Sequence, residues 1–180
     1  IGAVVSICAI YGLEFDPATS SREFCVSCSD YATIVLMPSV LERVREEAPN
    51  VRLHLVPRGE SATLLRSDEV DIVIEPSGLA GDPAWSSCRA FTDRWRAVVW
   101  SRSEWARGPM TLKRFRNAPY LAYTLGSRRE PNLADRVLAA RGLKQTPAVT
   151  TANFALVPFL LRGTDLVAPV AEAEPQPARP

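Results

Sequence analysis

The strongest constraint in this sequence is the order of its apolar periods: a strand-like run, a helix-like stripe and another strand-like run, twice over. Glu23–Cys28 is short, carries Phe24 and Val26, and ends in the polar pair Ser29-Asp30. From Ala32 to Ala48 the residues Leu36, Val40, Leu41 and Val44 share one stripe. Glu42, Arg43, Arg45, Glu46 and Glu47 lie largely off it, which predicts an amphipathic helix stopped by Pro49-Asn50. Pro38 falls inside that helix and either kinks it or marks where its regular part starts. Val51–Val56 alternates as a strand does, Pro57-Arg58-Gly59 breaks it, Ser61–Arg66 suits a short helix, and Asp71–Ile74 reads as a buried strand.

The same order returns further on. After a stretch rich in Gly, Pro and Ser, two strands are expected at Ser87–Phe91 and Arg96–Trp100. Tyr120–Tyr123 predicts a strand. Pro131–Arg141 predicts a helix with Pro at its first position and Gly142 just past its end. Ala148–Thr150 suits a strand, Asn153–Leu161 a helix closed by Gly163, and Asp165–Ala168 a strand. Two successive βαβαβ units follow from this. The Pro- and Ala-rich residues from Glu172 to Pro180 read as a frayed tail.

Composition narrows the function class. At 180 residues, 47% hydrophobic and 23% charged, the chain is one globular domain or two small lobes, neither disordered nor fibrous. Lys+Arg 21 against Asp+Glu 20 gives a formal charge of +1, so no global attraction to nucleic acid or anionic membrane is implied. No apolar run approaches the roughly 18 residues that span a bilayer. Cys8, Cys25, Cys28 and Cys88 are too few for a disulfide scaffold. Cys25 and Cys28 have half a zinc-site spacing, but on a strand an odd offset sends them to opposite faces, so buried reduced thiols are expected and no metal. That usage predicts an intracellular, cytoplasmic protein.

Catalytic and cofactor signatures are missing. No G-x-G-x-x-G follows a strand and there is no P-loop, so no cofactor is implied. Gly59-Glu60-Ser61-Ala62-Thr63 departs from a nucleophile elbow at its last position. The one histidine, His54, sits mid-strand, away from the strand ends where a triad base is needed. A non-enzymatic role is expected.

Parallel strands joined by helices put their carboxyl ends on one edge, where small ligands bind. Those ends are Ser29–Thr33, Pro57–Gly59 and Glu75-Pro76 in the first unit. In the second they are Thr124–Ser127, Thr150–Asn153 and Ala168-Pro169. Two readings of Asp30 are compatible: a helix N-cap, or part of an edge where the N–H groups of Tyr31, Ala32 and Thr33 and the hydroxyls of Ser29 and Thr33 hold a ligand oxygen. Tyr31 either stacks on an aromatic ligand or joins the core. Arg58 either reaches a carboxylate or phenolate or is a solvated loop arginine, and Asn153 has the same double reading as Asp30. Between Arg89 and Arg116, eight basic residues are interleaved with Phe91, Trp95, Trp100, Trp105 and Phe115. That mixture suits a single-strand nucleic-acid platform, or a solvated basic face over an apolar one.

Several stretches resemble the effector-binding domain of LysR-type transcriptional regulators. Phe15-Asp16-Pro17-Ala18-Thr19-Ser20 with Arg22 and Phe24 is similar to its opening segment. Ser29-Asp30-Tyr31 with Leu36-Met37-Pro38-Ser39-Val40-Leu41 resembles its first helix, and Asp71-Ile72-Val73-Ile74 its third strand. Leu138–Leu143 and Asn153 through Val157-Pro158 to Val167 are similar to the second lobe. The Ser-Asp-Tyr form is most like the branch of nodulation and aromatic-degradation regulators.

The resemblance implies a two-lobed fold like type II periplasmic binding proteins, with a small, aromatic effector in a cleft between lobes. Its contacts would fall at Ser29, Asp30, Tyr31, Ala32, Thr33, Pro57, Arg58, Leu125, Gly126, Ser127, Asn153 and Phe154. Residues 22–98 would form lobe I and 99–165 lobe II. Residues 166–180 would cross back and end in the tail, and 1–21 would hold a linker-helix remnant and the opening segment. A winged helix-turn-helix that binds DNA is implied ahead of Ile1, with assembly as a homodimer or tetramer and no membrane contact. The chain departs from the family in turning to Glu-Pro-Gln-Pro after Val170, where members continue with a further helix and strand. A secreted solute-binding protein of the same fold is the alternative that an export signal would mark.

Overall fold

The computed structural model describes residues 2–7, 15–58, 69–77, 86–124 and 133–174. Eight strands and four α-helices occur among them: β1 Gly2–Ile7, β2 Glu23–Cys28, α1 Asp30–Glu47, β3 Arg52–Pro57, β4 Ile72–Pro76, β5 Ser86–Val99, α2 Leu112–Asn117, β6 Leu121–Tyr123, α3 Leu133–Ala140, β7 Val149–Thr151, α4 Val157–Leu161 and β8 Val167–Ala173. The expected helix at 61–66 lies outside the described residues.

A six-stranded sheet has the order β3-β2-β4-β1-β5-β8, and β6 and β7 form a two-stranded parallel sheet. The chain divides into two compact units, Ile1–Asp93 with Ala173–Pro180, and Arg94–Glu172.

In the first unit β2 runs parallel to both β3 and β4, the arrangement that βαβ crossovers produce. Asp71 ties β4 to β2. Its carboxylate accepts from the Cys25 amide at 2.8 Å and from Arg22 at 3.0 Å. Odd and even residues of β2 diverge as an alternating strand requires. Val26 and Cys28 pack with Ala32, Met37, Ile74 and Phe91, whereas Cys25 packs on Val70 and Val73. Burial, with the Asp71 and Glu23 carboxylates adding to it, pushes the Cys25 thiol up. Helix α1 contains Pro38 in its interior.

Three expectations about the six-stranded sheet are corrected. Gly2–Ile7 is a strand rather than part of a helix, paired antiparallel with β4 and β5. The two strands expected between Ser87 and Trp100 are one strand of 14 residues, β5. Its polar middle stays extended because its backbone is paired: Thr92 stands opposite Gly2 of β1, and its carbonyl accepts from the Glu174 amide at 2.8 Å. The start of the expected tail, Glu172 and Ala173, belongs to β8, where Glu172 meets Arg96 at 2.6 Å.

The second unit is built on β6. Tyr120 and Ala122 pack with Phe115, Ala118, Leu143 and Val167, while Leu121 packs with Val157, Leu161 and Ala168. Tyr120 sits in this core with its hydroxyl donating to Asp135 at 2.8 Å; burial, then Asp135, raises its pKa. Helices α3 and α4 end at Gly142 (φ 75) and Gly163 (φ 76), left-handed positions that favour glycine. The expected single helix over Asn153–Leu161 is a 3-10 turn at Phe154–Leu156 followed by α4.

Candidate functional site at the strand ends

Register alone brings the first unit's expected edge together. Cys28 of β2 stands opposite Pro57 of β3 and Ile74 of β4, so Ser29 and Arg58 leave the sheet beside Glu75, the next residue of β4.

At the start of α1 the cap is Ser29, not Asp30: its Oγ accepts from the Ala32 amide at 3.2 Å. The Tyr31 amide donates to Asp30 Oδ1 at 3.0 Å, and the Thr33 amide to the Ser29 carbonyl at 2.9 Å. All three amides therefore have acceptors within the chain, and a ligand oxygen here must displace one. Ala32 is 4% exposed, which limits its own side chain to a packing role. The Thr33 hydroxyl donates to the Ser29 carbonyl at 3.0 Å and lies 3.1 Å from Cys28 Sγ.

Tyr31 joins the core. Its ring lies 6.2 Å from Phe91, and its hydroxyl donates to Asp93 Oδ1. Burial raises the Asp93 carboxyl above the ordinary range, with the Tyr31 hydrogen bond opposing that shift.

Arg58 is not a solvated loop arginine. Its side chain is 19% exposed and lies 3.3 Å from the carboxylate of Glu75, which is 1% exposed. The Arg58 Nε is buried and has no hydrogen-bond partner. Pro57 beside it is exposed, and its carbonyl accepts from Ser27 at 3.4 Å. Glu75 was placed at this edge by sequence but not among the contacts. The signal that could have singled it out is an acid closing the apolar run Ile72–Ile74.

In the second unit β6 and β7 are parallel, and the Thr124 amide donates to the Thr151 carbonyl at 2.8 Å. Phe154 stacks edge-on against Tyr123 at 5.6 Å. Asn153 is exposed and its side chain makes no capping bond; the amide of Asn153 donates to Thr151 Oγ1 instead. Leu125, Gly126 and Ser127 lie outside the described residues.

His54 is exposed in the middle of edge strand β3. Among the described residues no three His, Cys, Asp or Glu side chains group as a metal site, and no helix is long and apolar enough to cross a membrane. Of the basic segment, Arg96 pairs with Glu172. Arg114 donates to the carbonyls of Gly108 and Pro109 at 3.1 and 3.0 Å and lies 5.7 Å over the Trp105 ring. Both arginines are thus engaged with the protein itself.

Residues 17–174 match the LysR substrate binding domain. The chain belongs to that family. It is 31% identical over 158 residues to nodulation protein D 3 of Rhizobium leguminosarum bv. phaseoli, covering 87% of this chain and 52% of that protein. It is 33% identical over 154 residues to nodulation protein D of Bradyrhizobium sp. (strain ANU 289), covering 85% and 45%. The chain spans about half the length of these curated relatives. Among solved structures, the probable transcriptional regulator PA0477 from Pseudomonas aeruginosa superposes with a TM-score of 0.78 at 26% identity, covering 87% of this chain and 52% of that one. The regulatory domain of MexT, a transcriptional activator in the same organism, gives 0.65 at 25% identity, covering 86% and 74%. The chain is a LysR effector-binding domain, and both of these solved structures are of transcriptional regulators.

Proposed function

We propose that this domain senses a small aromatic inducer at the carboxyl ends of its parallel strands. Its occupancy is relayed to a winged helix-turn-helix DNA-binding domain elsewhere in the whole protein, which works in the cytoplasm as a homodimer or tetramer. The contacts are Ser29, Asp30, Tyr31, Ala32, Thr33, Pro57 and Arg58 in the first unit, and Leu125, Gly126, Ser127, Asn153 and Phe154 in the second. Tyr31 and Ala32 act mainly by positioning the N-terminus of α1, since one is tied to Asp93 and the other is buried.

The observation that carries this reading is the Arg58–Glu75 pair at the convergence of β2, β3 and β4. A guanidinium held by a buried carboxylate, with Nε lacking an acceptor, is a fixed donor group of the kind that orients a ligand oxygen. Regulation further requires that the inducer prefer one conformational state of the protein, because equal affinity for two states shifts neither.

Calorimetry and thermal-shift screening with aromatic acids, phenols and flavonoids tests the proposal. A saturable response that Arg58→Gln weakens is expected. No response to any of them from a folded sample overturns it.

A further inference from the structure

The first unit contains a cavity of about 460 Å³ that the strand-end residues do not line. One wall is the inward stripe of α1 from Leu36 to Ala48. The floor is Phe24 and Val26 of β2, Leu53 of β3, and Ile72 and Ile74 of β4; Phe15 and Pro17 close one side. Among the described residues the lining is thirteen apolar side chains and two charged ones, Arg43 and Glu47. Those two satisfy each other, with Arg43 Nη2 2.9 Å from Glu47 Oε1 one helical turn away.

The packing around the cavity is unfinished. Phe24, Leu36, Val40, Val44, Leu53 and Ile72 all face it and all remain only half-buried. Phe15, 51% exposed, stands edge-on to Phe24 at 5.9 Å and forms an aromatic rim. Dispersion contacts forfeited across a gap of this kind are regained when an apolar molecule fills it. The volume falls within the ordinary range of small-molecule sites, roughly 300–1,000 Å³, and a far smaller dry apolar cavity already suffices to take up benzene.

We propose that this cavity is a second ligand site, for an uncharged molecule of hydrocarbon or fused-ring character. An ion is disfavoured because the thirteen apolar side chains offer no partner for a buried charge, while Arg43 and Glu47, 75% and 59% exposed, lie at the solvent rim. The site stands independently of the inducer reading, since it shares no residue with the strand-end contacts.

The test is fluorescence titration of the full chain with phenylnaphthylamine, an uncharged apolar fluorophore, and with its anionic relative anilinonaphthalene sulfonate. The neutral dye is expected to bind at one site per chain, to be displaced by decanol, and to bind more tightly than the anion. Val40→Phe and Val44→Phe place a ring in the cavity. Each is expected to weaken dye binding by about tenfold or more while keeping or raising Tm. Dye binding unchanged in both variants, tighter binding of the anion, or no binding by folded protein overturns the proposal. So does light scattering that shows the cavity variants dissociating a dimer, since the cavity would then be filled by a second copy of the chain.

Discussion

Glu75 holds a carboxylate almost wholly out of water, and the guanidinium that answers it comes from a residue seventeen positions earlier on another strand end. Removing one member of a buried pair costs more than the pair contributes, because the other charge loses a partner while staying out of water. Arg58→Met is therefore expected to destabilise the fold by about 3 kcal/mol, and Arg58→Met with Glu75→Met by clearly less. Urea denaturation of both checks this; equal losses would mean the two side chains are not coupled. Asp93 tests the opposite case. Burial raises its folded pKa above the ordinary carboxyl value of 3.8, so the folded state holds the proton more tightly than the unfolded chain does. The resulting stability is fully present below the ordinary value and is lost as pH rises through the raised one. Asp93→Asn keeps an acceptor for Tyr31 and should flatten that slope in denaturation midpoints measured from the ordinary carboxyl value of 3.8 upward, whereas parallel curves would exclude Asp93 as its source. Neither pairing was legible in the sequence. Arg58 to Glu75 and Tyr31 to Asp93 are tertiary contacts, and local pattern gives Arg58 and Tyr31 two readings each.

At the scale of elements, helix starts separate what local chemistry decides from what it does not. Ser29 caps α1 with a side-chain bond to Ala32, whereas Asn153, the same class of residue at the start of Phe154–Leu156, makes none. Ser29→Ala should thus cost about 1 kcal/mol, and Asn153→Ala should stay within about 0.5 kcal/mol. Thermal melts of the two variants distinguish them, and similar losses would show that capping is not the difference. The succession β2, α1, β3, the glycine stops at 142 and 163 and the parallel edge of β2, β3 and β4 were all readable, because each rests on period or backbone chemistry within a few residues. Gly2–Ile7 was misread for a physical reason. A short apolar run has no period that separates helix from strand, and the β-branched Val4, Val5 and Ile7 carried the only local signal. Its place inside the sheet, between β4 and β5, is a long-range choice that no local pattern records.

At the scale of the whole molecule, the chain passes between its two units twice, after Asp93 in β5 and after Glu172 in β8. Each unit has its own core: Val26, Met37 and Phe91 in the first, Phe115, Tyr120 and Leu121 in the second. Separate cores predict two calorimetric components on heating rather than one two-state transition. Inducer binding adds stability only to what it touches, about 2.7 kcal/mol at a free concentration of about 100 times Kd. An inducer held through Arg58 raises the first unit's component, and contact with Asn153 and Phe154 raises the second as well. Both components are expected to move upward, with Arg58→Gln abolishing the first shift and Phe154→Ala reducing the second. If only the first component moves, the inducer is held by the first unit alone, and Asn153 and Phe154 leave the list of contacts. A ligand of the apolar cavity is distinguishable in the same experiment, since it raises the first component in the Arg58→Gln variant too, while Val40→Phe removes its effect and leaves the inducer's intact.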